Sequence, residues 1–174
     1  MEMEYDIELE NMPEEESEPI SSRIDFCGIN SKIAGSCNCY KFTKDNILGE
    51  GQGIFFSIIG TAGVGKTTLA KKLFDDPSIQ IHFVLRAWVK VSRKCEYNEI
   101  LRCILAQLDP SIRHQMLTQG EDDHDFEKLV GVLEERLKNN KCLIVMNDVW
   151  EWDRRLMDRF PKENVRIWLQ AGLE

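Results

Sequence analysis

Gly60, Gly63, Gly65, Lys66 and Thr67 stand in the order Gly-x-x-x-x-Gly-Lys-Thr within Gly60-Thr61-Ala62-Gly63-Val64-Gly65-Lys66-Thr67. That spacing suits one kind of chemistry, the cradling of phosphate groups. Backbone N–H groups must wrap around phosphate oxygens, and a Cβ would obstruct the turn that lets them. A helix opening at about Gly65 adds the positive end of its dipole. Lys66 reaches the β- and γ-phosphates as a point charge, and Thr67 supplies a hydroxyl for Mg²⁺.

Such a loop also needs a group on the metal side, usually a carboxylate at the tip of a buried strand next to the loop. Leu143-Ile144-Val145-Met146 is followed by Asn147 and Asp148, the expected layout. The first polar residue is an amide, which accepts a hydrogen bond from a metal-bound water but carries no charge. Asp148 is the alternative, as metal-side or catalytic carboxylate, although its side chain points the other way if the strand continues. The three histidines are scattered, and none of the six cysteines forms a Cys-x-x-Cys pair. They read as local hydrogen-bonding groups and structural thiols.

The elements that must hold these residues follow from periodicity. Ile54–Ile59 is an apolar run ended by Gly60 and reads as a strand buried on both faces. The loop then opens a helix with Leu69, Ala70, Leu73 and Phe74 inward, stopped at Asp75-Asp76-Pro77. Phe83–Val91 is rich in strand formers. Tyr97, Ile100, Leu101, Ile104, Leu105 and Leu108 keep helical spacing, as do Phe126, Leu129, Val130, Leu133 and Leu137. Residues 109–125 read as a polar loop. Cys142–Met146 is a third strand and Val165–Leu169 a fourth. Trp88, Trp150, Trp152 and Trp168 read as core or contact residues. The alternation predicts an α/β fold, a three-layer sandwich with a mainly parallel sheet.

The chain has 174 residues, 43% of them hydrophobic, enough for one domain with a real core. Its net charge of −8 resides in residues 1–22, which hold nine acids (Glu2, Glu4, Asp6, Glu8, Glu10, Glu14, Glu15, Glu16 and Glu18) and no base. Such a tail cannot offset its ordering entropy by burial, and disorder is expected. Residues 23–50 form a linker without trustworthy periodicity, and 51–174 the nucleotide-binding unit. The balanced remainder shows no basic face for nucleic acid. With no apolar leader and no run long enough for a membrane span, a cytoplasmic protein is expected.

From about Gly53 to Arg166 the chain resembles the first part of an NB-ARC domain, the nucleotide switch of plant disease-resistance proteins with leucine-rich repeats. The resemblance rests on Ile59–Ala70, on Arg86-Ala87-Trp88-Val89-Lys90-Val91-Ser92, and on Cys142–Trp150. Trp150 after the polar pair is similar to the class with an N-terminal coiled coil. The resemblance implies a P-loop NTPase-like fold and binding of ADP or ATP with Mg²⁺ and slow hydrolysis. It puts Gly60, Gly63, Val64, Gly65, Lys66, Thr67 and Thr68 on the phosphates, and Thr67, Asn147 and Asp148 near the metal. The sequence departs from the family at Asn147, where an Asp is usual, and at 165–172, where a Thr-Thr-Arg stretch is usual. Four strands instead of five imply a sheet incomplete at the C-terminus, as in a truncated product.

Two other functions are compatible with the residues. A small-molecule kinase would use Arg154, Arg155 and Arg159 past the third strand. A non-binding fragment would associate with full-length relatives through an exposed sheet edge.

Overall fold

The computed structural model describes residues 37–49, 55–91, 96–118, 126–149, 154–161 and 164–172. Four strands, β1 (Phe55–Gly60), β2 (Leu85–Lys90), β3 (Cys142–Asn147) and β4 (Val165–Gly172), form one sheet. Every pairing is parallel, and the strand order is β1-β4-β3-β2. The helices are α1 (Cys37–Leu48), α2 (Lys66–Phe74), α3 (Pro77–His82), α4 (Tyr97–Leu108), α5 (Arg113–Thr118), α6 (Phe126–Leu137) and α7 (Arg154–Met157).

Strand alternation divides the core into two layers. On one face Ala87 and Val89 of β2, Cys142, Ile144 and Met146 of β3, and Val165, Ile167 and Leu169 of β4 meet the apolar faces of α4, α6 and α7. On the other, Trp88, Leu143, Val145 and Trp168 meet Ala70, Leu73 and Phe74 of α2, Ile79 of α3 and Ile47 of α1. This is the expected three-layer α/β sandwich. The helix positions expected to face inward are buried in α2, α4 and α6, except that Leu69 and Phe126 are only partly so and Tyr97, at the start of α4, is exposed. Trp88 and Trp168 are core residues; Trp150 and Trp152 lie outside the described residues.

The structure departs from the expectation at four places. First, β1 is an edge strand rather than one buried on both faces. Phe55 (39% exposed) and Ile59 (61%) project beyond the α4–α6 layer. The opposite edge, β2, is covered: the Gln107 side chain accepts from the Trp88 amide and donates to its carbonyl, both at 2.9 Å. Second, β4 lies between β1 and β3, so the strand carrying Asn147 is not adjacent to the phosphate-loop strand. Third, α5 interrupts what reads as a plain loop, with Met116 buried beneath it. Fourth, α1 occupies part of the stretch 23–50, where no element was expected, and sends Ile47 into the core. The acidic residues 1–22 lie outside the described residues.

α1 is locked by charge as well as packing. Asp76 caps α3, accepting from the amides of Ser78 (2.8 Å) and Ile79 (3.4 Å), with Pro77 at the first helical position. The same carboxylate takes the Tyr40 hydroxyl and the Lys44 ammonium (2.9 Å) from α1. Burial alone would raise the Asp76 pKa. The hydrogen bonds from Tyr40, Lys44 and the two amides outweigh it and hold the carboxyl at about 2, below the ordinary 3.8. A depressed folded-state pKa stabilises above the unfolded value and is lost as pH falls through the folded one. Stability is therefore expected to drop between pH 4 and about 2, and Asp76→Asn to flatten that drop. Urea unfolding of both proteins at pH 5 and pH 2.5 checks it; equal losses in the two would remove Asp76 as the cause.

Candidate functional site

The loop Thr61–Gly65 connects the end of β1 to the start of α2, at the carboxyl end of the parallel strands. Gly63 (φ 77°) and Gly65 (φ 92°) both adopt left-handed backbone, which costs an L side chain roughly 1–2 kcal/mol. No atom lies where their Cβ would be, so conformation rather than space demands glycine here. Gly65 is the N-cap of α2, and its carbonyl accepts from Leu69 N–H at 2.9 Å. The amides of the first helical turn have no intrahelical acceptor, as in any α-helix, and face the loop.

Lys66 Nζ donates to the carbonyls of Gly60 (2.7 Å) and Thr61 (2.8 Å), which uses two of its three protons to hold the loop in shape. Val64 is exposed and contributes backbone to the loop. Thr68 follows in the first turn of α2, half-buried.

Thr67 meets the strand tips. Its Oγ1 lies 3.4 Å from Asn147 Oδ1, so the polar residue that ends β3 does face the loop. Strand parity explains this, because Leu143, Val145 and Asn147 share the α2 side of the sheet. Asp148 leaves the strand in left-handed backbone (φ 57°), where an Asp is tolerated. Its Oδ2 accepts from Asn147 Nδ2 at 3.3 Å, which fixes the amide with its oxygen toward Thr67. Of the expected metal-side trio, Thr67 and Asn147 are brought together directly, and Asp148 acts through Asn147.

One residue was missed. Gln170 lies near the carboxyl end of β4, two residues before its last, and is only 2% exposed. Its Nε2 donates to Thr67 Oγ1 at 2.5 Å. The register Met146↔Leu169 makes Asn147 and Gln170 the next residues along two adjacent strands. The sequence carries a signal, since Gln170 follows an apolar run as Asn147 does; the insertion of β4 beside β1 leaves none. The strand tips are tied by backbone too, Val91 N–H to Asn147 O (2.7 Å) and Val149 N–H to Gln170 O (2.9 Å).

Other candidates lie elsewhere. Arg159 pairs with Glu127 on α6, and the side chains of Arg154 and Arg155 are outside the described residues. Cys103 and Cys142 are buried and in no disulfide, and burial pushes the Cys142 thiol up, away from reactivity. Among the described residues no cluster of three His, Cys, Asp or Glu could hold a metal, and no helix is long and apolar enough to cross a membrane.

Comparison with known proteins identifies the family. The family model described as NB-ARC domain matches residues 41–169. An Arabidopsis thaliana protein with disease resistance in its name is 36% identical over 126 residues, 71% of this chain and 14% of that protein. A Solanum demissum protein named as a late blight resistance protein homolog is 33% identical over 145 residues, 79% of this chain and 10% of its own length. The disease susceptibility protein LOV1 of Arabidopsis thaliana is 32% identical over 147 residues, 82% of this chain and 14% of its own length. The chain thus spans well under a fifth of the length of the relatives it matches.

Proposed function

The chain belongs to the NB-ARC domain family, and from that premise we propose that it binds an adenine nucleotide, ADP or ATP, with Mg²⁺, as part of a cytoplasmic plant-defence switch. The observation that carries the reading is the left-handed backbone at Gly63 and Gly65, which turns β1 into α2 and sets Lys66 and Thr67 at the carboxyl ends of parallel strands. Ligands of open parallel sheets bind in that position.

The donor atoms fit a magnesium ion. Thr67 Oγ1 and Asn147 Oδ1 are hard oxygens, suited to a cation that keeps most of its waters. Thr67 would hold the ion, Asn147 would accept from one of its waters, and Asp148 would orient Asn147. Bound there, Mg²⁺ neutralises phosphate charge. Gly60, Gly63, Val64, Gly65 and Thr68 supply backbone to the phosphates, and Lys66 its remaining proton. With an amide at the tip of β3 and Asp148 turned aside, binding dominates over turnover, and hydrolysis is at most slow.

The test is thermal unfolding of the whole chain with and without Mg·ADP. A ligand at about 100 times its Kd that binds only the folded state stabilises by about 2.7 kcal/mol, a rise of several degrees in Tm for a protein of this size. An unchanged Tm at millimolar Mg·ADP and Mg·ATP would overturn the reading.

A further inference from the structure

We propose that Gln170 is a positioning residue on the cation side of this site, its carbonyl oxygen accepting from a Mg²⁺-bound water while its amide holds the Thr67 hydroxyl toward the ion. The inference rests on the nucleotide-binding reading and extends it to a residue at which the chain departs from the family pattern.

Three observations carry it. Gln170 Oε1 is buried and has no hydrogen-bond partner among the described residues. A buried carbonyl left unpaired costs about 1–3 kcal/mol, and native structures leave few such groups unexplained. The other end of the same side chain is fixed, Nε2 donating to Thr67 Oγ1 at 2.5 Å, so the side chain is aimed at the Thr67 side of the loop. The third observation is the polarity of the surrounding chain. Gln170 Nε2 donates to Thr67 Oγ1, Thr67 Oγ1 lies against Asn147 Oδ1, and Asn147 Nδ2 donates to Asp148 Oδ2. Thr67 accepts one bond and donates one, which leaves its second lone pair for a cation.

The set consists of three neutral oxygens, on Thr67, Asn147 and Gln170, with the one carboxylate a residue removed. Neutral oxygens suit a hydrated Mg²⁺ and not a thiophilic metal. They also supply no charge of their own, so the attraction for the cation comes from the phosphates. Mg²⁺ therefore binds with the nucleotide and not before it. Gln170 adds on β4 a second amide oxygen beside that of Asn147 on β3, which already accepts from Thr67.

The experiment is calorimetric titration of ADP into the full chain, with Mg²⁺ and with EDTA, for wild type, Gln170→Leu and Gln170→Met, together with Mg²⁺ alone into wild type. Mg²⁺ is expected to tighten ADP binding in the wild type and to give no signal alone. Gln170→Leu should keep its affinity in EDTA and lose about tenfold of the Mg²⁺ enhancement, the usual scale for an outer-shell partner. Gln170→Met, of similar length with neither acceptor nor donor at its tip, should lose the enhancement to the same extent. Full enhancement in Gln170→Leu overturns the proposal. If that variant does not fold, full enhancement in Gln170→Met overturns it instead. Wild-type protein that binds no ADP in either buffer refutes the nucleotide reading itself, and the role of Gln170 with it.

Discussion

Lys66→Ala is expected to lower ADP affinity by about ten- to a hundredfold while leaving the unliganded fold nearly as stable. The loss follows from one charge-assisted donor, worth about 1.5–3 kcal/mol, at tenfold per 1.4 kcal/mol. Lys66 is half-buried, and its partners within the chain are carbonyls of its own loop, Gly60 and Thr61. Its removal therefore loosens the cradle without opening the core. Calorimetric titration of both proteins, with urea unfolding in the absence of ligand, separates the two effects. Equal affinities would mean that the loop binds nothing through its lysine. A large loss of unliganded stability would mean that the lysine serves the fold.

Trp168→Ala is expected to destabilise by about 3–5 kcal/mol, the range for truncating a large buried aromatic. Trp168 is 1% exposed and sits on β4 beneath α2, among Leu73, Phe74, Trp88 and Val145. Total stabilities are only about 5–15 kcal/mol, so the loss consumes much of what the domain has. Trp168→Phe is the informative companion. The indole Nε1 has no hydrogen-bond partner among the described residues, so replacing it deletes no bond and leaves only a smaller void. Urea unfolding should place the Phe variant within about 2 kcal/mol of wild type, well above the Ala variant. An Ala variant within 1 kcal/mol would show that the α2 layer does not depend on this ring.

Much of this architecture could be read in the residues. The four strands and helices α2, α4 and α6 stand where the apolar pattern puts them, because each packs an apolar face at its own repeat. The phosphate loop was legible because left-handed backbone and a lysine leave a fixed sequence mark. What escaped reading depends on contacts far apart in the chain. Nothing local in Ile54–Ile59 says that its strand lies at an edge, since an apolar run looks alike with one neighbour or two. α1 carries a weak pattern and owes its place to Tyr40, Lys44 and Ile47 meeting α2 and α3. Gln170 is ordinary in sequence and becomes informative only because β4 is inserted beside β1, which sets its amide against Thr67.

That insertion also orders events in time. β1 emerges first of the four strands, yet its one partner among the described residues is β4, on the order of a hundred residues later in the chain. β2 and β3 pair with each other before that. Closing so long a loop is slow relative to local helix formation. The strand that carries the phosphate grip thus waits unpaired until β4 has been made, and its Phe55 and Ile59 are what a chaperone or a neighbouring chain would meet meanwhile.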